Sequence, residues 1–151
     1  MTNSKLGTNA VAQIGVVVHD IETASRAYAE LLGIEPPAWF WTDAADKAKT
    51  EYGGAPSEAR AKLAFIDLGP VQLELIEPDG HPSTWRDHLN ARGEGVHHLA
   101  FVVEKMKDKI DALEKHGIPL QQKGEYTGGR YAYMDSSRAL KVLLELLEND
   151  R

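Results

Sequence analysis

An internal repeat constrains the fold of this chain more than any other feature of its sequence. QIGVVVHDIETASRAYAELLGI (13–34) resembles HLAFVVEKMKDKIDALEKHGI (98–118), which makes Gln13 equivalent to His98. Each segment begins as an apolar strand, continues as an amphipathic helix and stops at a glycine suited to a left-handed helix cap. The sequence therefore predicts two equivalent β-α units.

A second pair of matching segments closes each copy of the repeat. VQLELIEPD (71–79) and VLLELLEND (142–150) agree in register, which makes Glu74 equivalent to Glu145. The separation between these glutamates is smaller than that between Gln13 and His98, so the first copy is the longer one, and we place its extra length within 36–59. Two further strands fit between the helix and the final strand of each copy. Each copy is thus predicted to be a β-α-β-β-β module.

The repeat predicts an α+β fold in which two tandem β-α-β-β-β modules form a curved mixed sheet around a central cleft. At 151 residues the chain has the size of a single domain, 1–151. Within it we expect a first module, a linker that contains a short helix, and a second module. Their predicted ranges are 11–78, 79–95 and 96–148.

Composition excludes several classes of function. The chain has no cysteine, so it has no disulfide, no thiolate nucleophile and no thiolate metal ligand. Its formal net charge of −6 disfavours a nucleic acid partner, which requires a basic surface. No apolar run approaches the length of a membrane span, and the first residues lack the features of a secretion signal. We expect a cytoplasmic protein without membrane or nucleic acid partners.

Four polar side chains interrupt the apolar strands at equivalent positions: Gln13, Glu74, His98 and Glu145. Burying a carboxylate without a partner costs several kcal/mol, so such residues either face solvent or line a site. If the modules pack about a pseudo-twofold axis, these side chains meet. One imidazole, two carboxylates and an amide oxygen then suit a divalent transition metal. The alternative is that Gln13 bonds to the backbone and His98 is an ordinary core histidine.

GVHHLAFVVE, LGPVQLELIEP, TGGRYAYMD and VLLELLE resemble the vicinal oxygen chelate superfamily, and the resemblance covers nearly the whole chain. Within the superfamily, GVHHLAF and LELIEP resemble methylmalonyl-CoA epimerase and bacterial lactoylglutathione-lyase-like proteins. The resemblance implies that Gln13, Glu74, His98 and Glu145 hold one divalent metal ion, namely Zn, Ni, Co or Mn. It also implies that the adjacent His97 faces the other side of its strand, and that the protein is a homodimer.

The resemblance implies a metal-dependent isomerase, epimerase or lyase that removes a proton α to a carbonyl group. The bound metal would stabilise the enolate, and Glu145, with Glu74 as a second candidate, would take the proton. The implied substrate is a small α-carbonyl compound, such as a thioester or a hemithioacetal. Gln13 disfavours extradiol dioxygenases, which need two histidines and a carboxylate around iron. Glutathione is disfavoured by Glu94 and Pro78, where lactoylglutathione lyases carry basic residues.

Two further segments supply candidate substrate contacts. In YTGGRY, the N–H groups of Gly128 and Gly129 and the guanidinium of Arg130 suit an anionic group, although a plain hairpin turn explains the glycines equally well. In WFW, Trp39 and Trp41 are expected to cap the cleft, with a dimer interface or the core as alternatives.

The resemblance also leaves a second class of function open. Bleomycin-resistance proteins of this fold bind a small molecule without metal or chemistry. In such a protein the four polar residues would form a hydrogen-bonded cluster. A third class, thiol transfer to an antibiotic as in fosfomycin-resistance proteins, is disfavoured because those proteins usually keep a histidine at the position of Gln13.

Overall fold

The computed structural model describes residues 4–151 and contains one ten-stranded sheet and five helices. The strands are β1 (Gln13–Val17), β2 (Phe40–Trp41), β3 (Glu51–Tyr52), β4 (Ala55–Pro56), β5 (Ala61–Leu68), β6 (Val71–Pro78), β7 (Gly95–Val102), β8 (Leu120–Tyr126), β9 (Gly129–Met134) and β10 (Leu143–Asn149). The helices are α1 (Ile21–Leu32), α2 (Ala45–Ala48), α3 (Thr84–Arg92), α4 (Met106–Lys115) and α5 (Ser137–Leu140). None of these helices is long and apolar enough to cross a membrane.

The strands are arranged in the order β2-β5-β6-β1-β7-β10-β9-β8-β3-β4, and the sheet curls into a half-barrel. β1 pairs in parallel with β6, and its counterpart in the repeat, β7, pairs in parallel with β10. β1 and β7 run antiparallel to each other where the two copies of the repeat meet. The predicted α+β fold, with tandem modules that form a curved mixed sheet, is confirmed.

The two long helices of the repeat cover the outer, convex face of the sheet. Asp20 caps the start of α1 by accepting hydrogen bonds from two backbone N–H groups, and Gly33 ends the helix in the left-handed conformation. α1 and α4 each pack on an apolar cluster of their own module. A third cluster fills one end of the concave side; it consists of Val17, Ala59, Ala61, Ile76, Trp85 and Tyr133.

The extra length of the first copy crosses the open side of the half-barrel. The crossing segment, residues 42–60, leaves β2 at one edge of the sheet. At the opposite edge its strand β3 pairs with β8, and β4 pairs with β3. The backbone N–H of Gly53 donates to the carbonyl oxygen of Gln121 at 2.8 Å. Ser57 Oγ donates to the carbonyl oxygen of Pro82 at 2.7 Å. This segment therefore ties the first module to the linker helix and to the second module.

The pairing of β1 with β7 contains a β-bulge. Gly15 lies opposite His98, but the next residue, Val16, lies opposite Val96, so that His97 is an extra residue on its strand. A Cβ atom at Gly15 would overlap the imidazole ring of His98. The absence of a side chain at Gly15 is therefore what allows the His98 ring to lie flat across β1.

We expect the substitution Gly15→Ala to lower the free energy of unfolding by about 1–3 kcal/mol, because the new methyl group and the His98 ring compete for one volume. Gly80→Ala is the matched control, since a Cβ atom at Gly80 meets nothing within 4 Å. Chemical denaturation monitored by circular dichroism measures both variants. Equal stabilities of the two variants would contradict the packing of His98 on Gly15.

Candidate functional site

Four polar side chains meet on the concave face, where the two modules join. Nε2 of His98 lies 2.9 Å from Gln13 Oε1, 3.3 Å from Glu145 Oε1 and 3.6 Å from Glu74 Oε1. All four residues are buried, with exposed fractions between 0% and 7%. The structure thus brings together the two pairs of residues that are equivalent in the repeat. Side-chain oxygen atoms of three of these residues lie around Nε2 of the fourth, His98.

The position of Gln13 is fixed by a neighbouring glutamine. Gln13 lies opposite Gln72 in the pairing of β1 with β6, and its Nε2 donates a hydrogen bond to Gln72 Oε1 at 2.7 Å. The amide nitrogen of Gln13 is therefore used, and its amide oxygen is directed at His98. Gln72 was not identified from the sequence. The register of the parallel pair was the information needed to find it.

His97 lies on the same side of the strand as His98. Its Nδ1 is 2.8 Å from Nδ1 of His98, and its Nε2 is 3.1 Å from Thr84 Oγ1 in α3. The expectation that His97 faces the other side is wrong, because the bulge removes the alternation of a regular strand. His97 is 1% exposed and forms the support of the His98 ring.

Burial dominates the electrostatics of the cluster. It raises the pKa of Glu74 to about 8. Burial and the neighbouring Glu74 together raise the pKa of Glu145 well above its ordinary value, and the Tyr133 hydroxyl opposes this rise. Burial lowers the pKa of His98 to about 3, which keeps the ring neutral. Within residues 4–151, neither Glu74 nor Glu145 forms an ion pair with lysine or arginine. The site therefore holds two buried carboxyl groups without a compensating positive charge.

The donor set fits a divalent metal ion. Glu145 Oε1 is buried and has no hydrogen-bond partner among the described residues. Two ligands that share a metal at about 2.1 Å lie about 3.0–3.4 Å apart. The distances from His98 Nε2 to its three oxygen neighbours, 2.9, 3.3 and 3.6 Å, are close to this range. Even so, no group of three or more His, Cys, Asp or Glu in residues 4–151 is already arranged as a metal centre. In the structure, Gln13 and His98 bond to each other directly.

Exposed aromatic residues flank the cluster on the concave face. Phe65 lies opposite Glu74 in the pairing of β5 with β6, and its ring centroid is 5.6 Å from that of Phe40. Both rings are partly exposed, at 37% and 46%. Tyr126 lies on the side of the second module, where burial and then the charge of Glu145 raise its pKa to about 12. These aromatic residues were not identified from the sequence. The signal that could have found Phe65 is the two-residue turn at 69–70. This turn places Leu68 opposite Val71, and counting back along the two strands then places Phe65 opposite Glu74.

The structure does not bring Arg130 to the cluster. Its guanidinium pairs with Glu148 at 2.7 Å and also contacts Asp150. In the pairing of β9 with β10, Arg130 lies opposite Glu148, whereas Tyr133 lies opposite Glu145. Because side chains alternate along a strand, Arg130 is on the other face of the sheet. Gly128 and Gly129 lie at the turn between β8 and β9.

The two tryptophans also lie away from the cluster. Trp39 packs against the apolar cluster beneath α1, and its Nε1 donates to Glu22 Oε1 at 3.1 Å. Trp41 lies opposite Lys62 at the β2 edge. The Lys62 ammonium lies 4.5 Å from the ring centroid of Trp39 and 5.5 Å from that of Trp41. Only Phe40, between them, faces the concave side.

A family model described as the glyoxalase/bleomycin resistance protein/dioxygenase superfamily matches residues 12–133. The chain belongs to this superfamily. The protein is 27% identical over 143 residues to the uncharacterized protein YqjC of Bacillus subtilis (strain 168), a match that covers 93% of this chain and 92% of that protein.

Solved structures share the superfamily fold with this chain. Methylmalonyl-CoA epimerase from Mycobacterium tuberculosis is 21% identical, with a TM-score of 0.65 over 100% of this chain and 93% of that chain. A variant of the Streptomyces coelicolor epimerase, in complex with 2-nitronate-propionyl-CoA, is 20% identical, with a TM-score of 0.62 over 93% and 97% of the two chains. At these identities the likeness establishes the fold alone.

The raised pKa of Glu74 makes the stability of the metal-free protein depend on pH. The folded protein holds this proton more tightly than the unfolded chain, so the free energy of unfolding falls as the pH rises from 4.5 to about 8. His98 acts in the opposite direction, because its stabilising contribution is lost as the pH falls from 6.5 to about 3. From these two groups, chelator-treated protein should show constant maximal stability between about pH 4.5 and 6.5 and lose about 2 kcal/mol by pH 8. Denaturation at a series of pH values measures this, and Glu74→Gln should flatten the alkaline side. A stability that stays constant up to pH 8 would contradict the uncompensated burial of Glu74.

Proposed function

We propose that this protein is a metal-dependent isomerase, epimerase or lyase that removes a proton α to a carbonyl group of a small substrate. The observation that carries the proposal is the oxygen Oε1 of Glu145, which is buried and has no hydrogen-bond partner among residues 4–151. An unpaired carboxyl oxygen beside a second buried carboxyl group is costly unless a cation or a substrate uses it. Membership of the superfamily supports the same conclusion.

Four side chains would hold the metal ion: Gln13 through Oε1, His98 through Nε2, and Glu74 and Glu145 through carboxylate oxygens. When bound, such an ion acts as a Lewis acid that draws negative charge onto the carbonyl oxygen of a substrate and so acidifies the adjacent C–H group. Two neutral and two anionic ligands leave the loaded site without net charge. This balance favours the charge that develops on the substrate during proton removal.

Glu145 is the proposed base, and Glu74 is the alternative. In its ionised form Glu145 takes the proton from the carbon next to the carbonyl group and holds it on the carboxyl oxygen. Delivery of a proton to the opposite face of that carbon by a second acidic group would give epimerisation, and return of the proton from Glu145 to a neighbouring carbon would give isomerisation. A carboxylate is a suitable general base for this step.

The substrate is proposed to be an α-carbonyl compound whose remaining part is apolar near the reacting carbon. Phe40 and Phe65 offer a partly exposed aromatic surface beside Glu74, and this surface would exclude water from the reacting group. The structural neighbours include an epimerase in complex with 2-nitronate-propionyl-CoA, which supports a thioester as the first compound to test.

Elemental analysis of protein purified without chelator or affinity metal should find about one divalent transition metal per chain. The loaded protein should then exchange the α-hydrogen of methylmalonyl-CoA or of a hemithioacetal with deuterated solvent, measured by NMR. Glu145→Gln should lower the exchange rate by about 10²–10⁴-fold, because the general base is lost. Glu125→Gln, which alters an exposed carboxylate on β8, should leave the rate unchanged. Retention of full activity in Glu145→Gln would overturn the assignment of the base.

A metal-free binding protein is the second candidate, and one observation favours it. Gln72, Gln13 and His98 form an unbroken hydrogen-bonded series that needs no ion, with distances of 2.7 Å and 2.9 Å. If metal analysis finds no metal after incubation with Zn, Ni, Co and Mn salts, this second function is the correct one. The partly exposed ring of Phe65 is then the first place to look for a bound molecule.

A further inference from the structure

A hydrogen-bonded chain runs from His98 away from the other candidate ligands. Nδ1 of His98 is 2.8 Å from Nδ1 of His97, and Nε2 of His97 is 3.1 Å from Thr84 Oγ1. On its other side, Nε2 of His98 is 2.9 Å from Gln13 Oε1. Each of the two imidazole rings is buried and uses both of its nitrogen atoms. The position of every ring proton is therefore fixed by the neighbouring atoms.

Without a metal, the amide oxygen of Gln13 sets the direction of this chain. A carbonyl oxygen only accepts, so Nε2 of His98 carries a proton and donates it to Gln13. A neutral ring carries one proton, which leaves Nδ1 of His98 as an acceptor. Nδ1 of His97 must then donate, and Nε2 of His97 must accept from the hydroxyl group of Thr84.

With a metal, the bond from Nε2 of His98 to Gln13 is lost, and donor and acceptor must exchange in the other two hydrogen bonds. A histidine that binds a metal through Nε2 presents a lone pair there and carries its proton on Nδ1. Nδ1 of His97 then has to accept that proton in a hydrogen bond. Its own proton moves to Nε2, which donates to Thr84 Oγ1.

We propose that His97 is a positioning residue whose tautomer reverses together with that of His98 when a metal binds. This inference rests on the proposed metal-dependent function. The reversal conserves protons, because each ring carries one N–H and Thr84 carries one O–H in both states. His97 thus allows His98 to bond to Gln13 in the empty site and to offer a lone pair in the loaded one.

Thr84 is suited to be the end of this chain. Metal-bound histidines usually donate to a carboxylate or a backbone carbonyl, which accept only and so hold a single tautomer. A hydroxyl group both donates and accepts after a rotation about its C–O bond. Thr84 and His97 also line a pocket of about 180 Å³. In the loaded state the hydroxyl proton of Thr84 can therefore turn towards this pocket.

Nitrogen-15 NMR of the histidine rings tests the proposal directly, in metal-free protein and after addition of Zn²⁺ alone. Without metal we expect protons on Nε2 of His98 and Nδ1 of His97, and with Zn²⁺ on the other nitrogen of each ring. An unchanged His97 tautomer in the two states would overturn the proposal. If the wild-type protein takes up no Zn²⁺, the proposed function fails. The tautomers of the metal-free protein then decide the hydrogen-bonded chain alone, and a proton on Nδ1 of His98 would refute it.

A matched pair of variants at Thr84 separates positioning from packing. Thr84→Val keeps the shape but removes the hydroxyl group, and we expect it to weaken Zn²⁺ binding by about 10-fold, because the N–H on Nε2 of His97 then lacks its acceptor in the loaded state. The tautomers of the metal-free state, which Gln13 sets, should not change in this variant. Thr84→Ser keeps the hydroxyl group and should bind Zn²⁺ as the wild type does. His97→Phe, which removes the support altogether, should weaken binding by about 10–100-fold. Wild-type Zn²⁺ affinity in Thr84→Val would contradict the role of Thr84.

Discussion

The burial of two carboxyl groups that pair with no lysine or arginine of residues 4–151 is the constraint on which the rest of this structure depends. Glu74 and Glu145 are almost fully enclosed, and burial holds the neighbouring His98 ring neutral. Such an arrangement is unfavourable in the folded protein, and the stability of the chain has to come from elsewhere. The apolar clusters under α1 and α4 and the crossing segment supply it. A stable framework thus carries a strained electrostatic site, as is common for sites with a function.

The convergence of the four polar residues could be predicted from the sequence because it follows from symmetry. Equivalent strands of a repeat occupy equivalent places, and the side-chain period of two puts matching residues on one face. His97 could not be predicted in this way. Its orientation depends on a bulge in the pairing of β1 with β7, which arises from long-range register. The same local pattern, two adjacent histidines, would place one ring on each face of a regular strand.

The substrate contacts show a second limit of sequence reasoning. Arg130 has the right chemistry for an anion, but its face of the sheet is set by the pairing of β9 with β10, where it bonds to Glu148. The crossing segment pairs with β8, which lies far from it along the chain, and no local pattern indicates this contact. Arg130 and Trp41 were chosen as substrate contacts from residue type alone. Phe65 is found instead from the alternation of side chains along β5, which places it on the same face as Glu74. The face of the sheet that a side chain occupies is therefore a better guide to candidate site residues on strands than the type of the side chain.

Gln13 illustrates how a neutral side chain belongs in such a site. In the proposed metal site, a divalent ion and two carboxylates would already sum to zero charge, so a third carboxylate at this position would leave the buried site negative and raise its desolvation cost. A glutamine oxygen adds a ligand without adding charge. However, the terminal amide group of a glutamine can turn so that either its oxygen or its nitrogen faces the site. Gln72 removes this ambiguity by accepting from Nε2, which leaves only the oxygen directed at His98. The second glutamine, on the neighbouring strand, is what makes the first one usable as an oxygen donor.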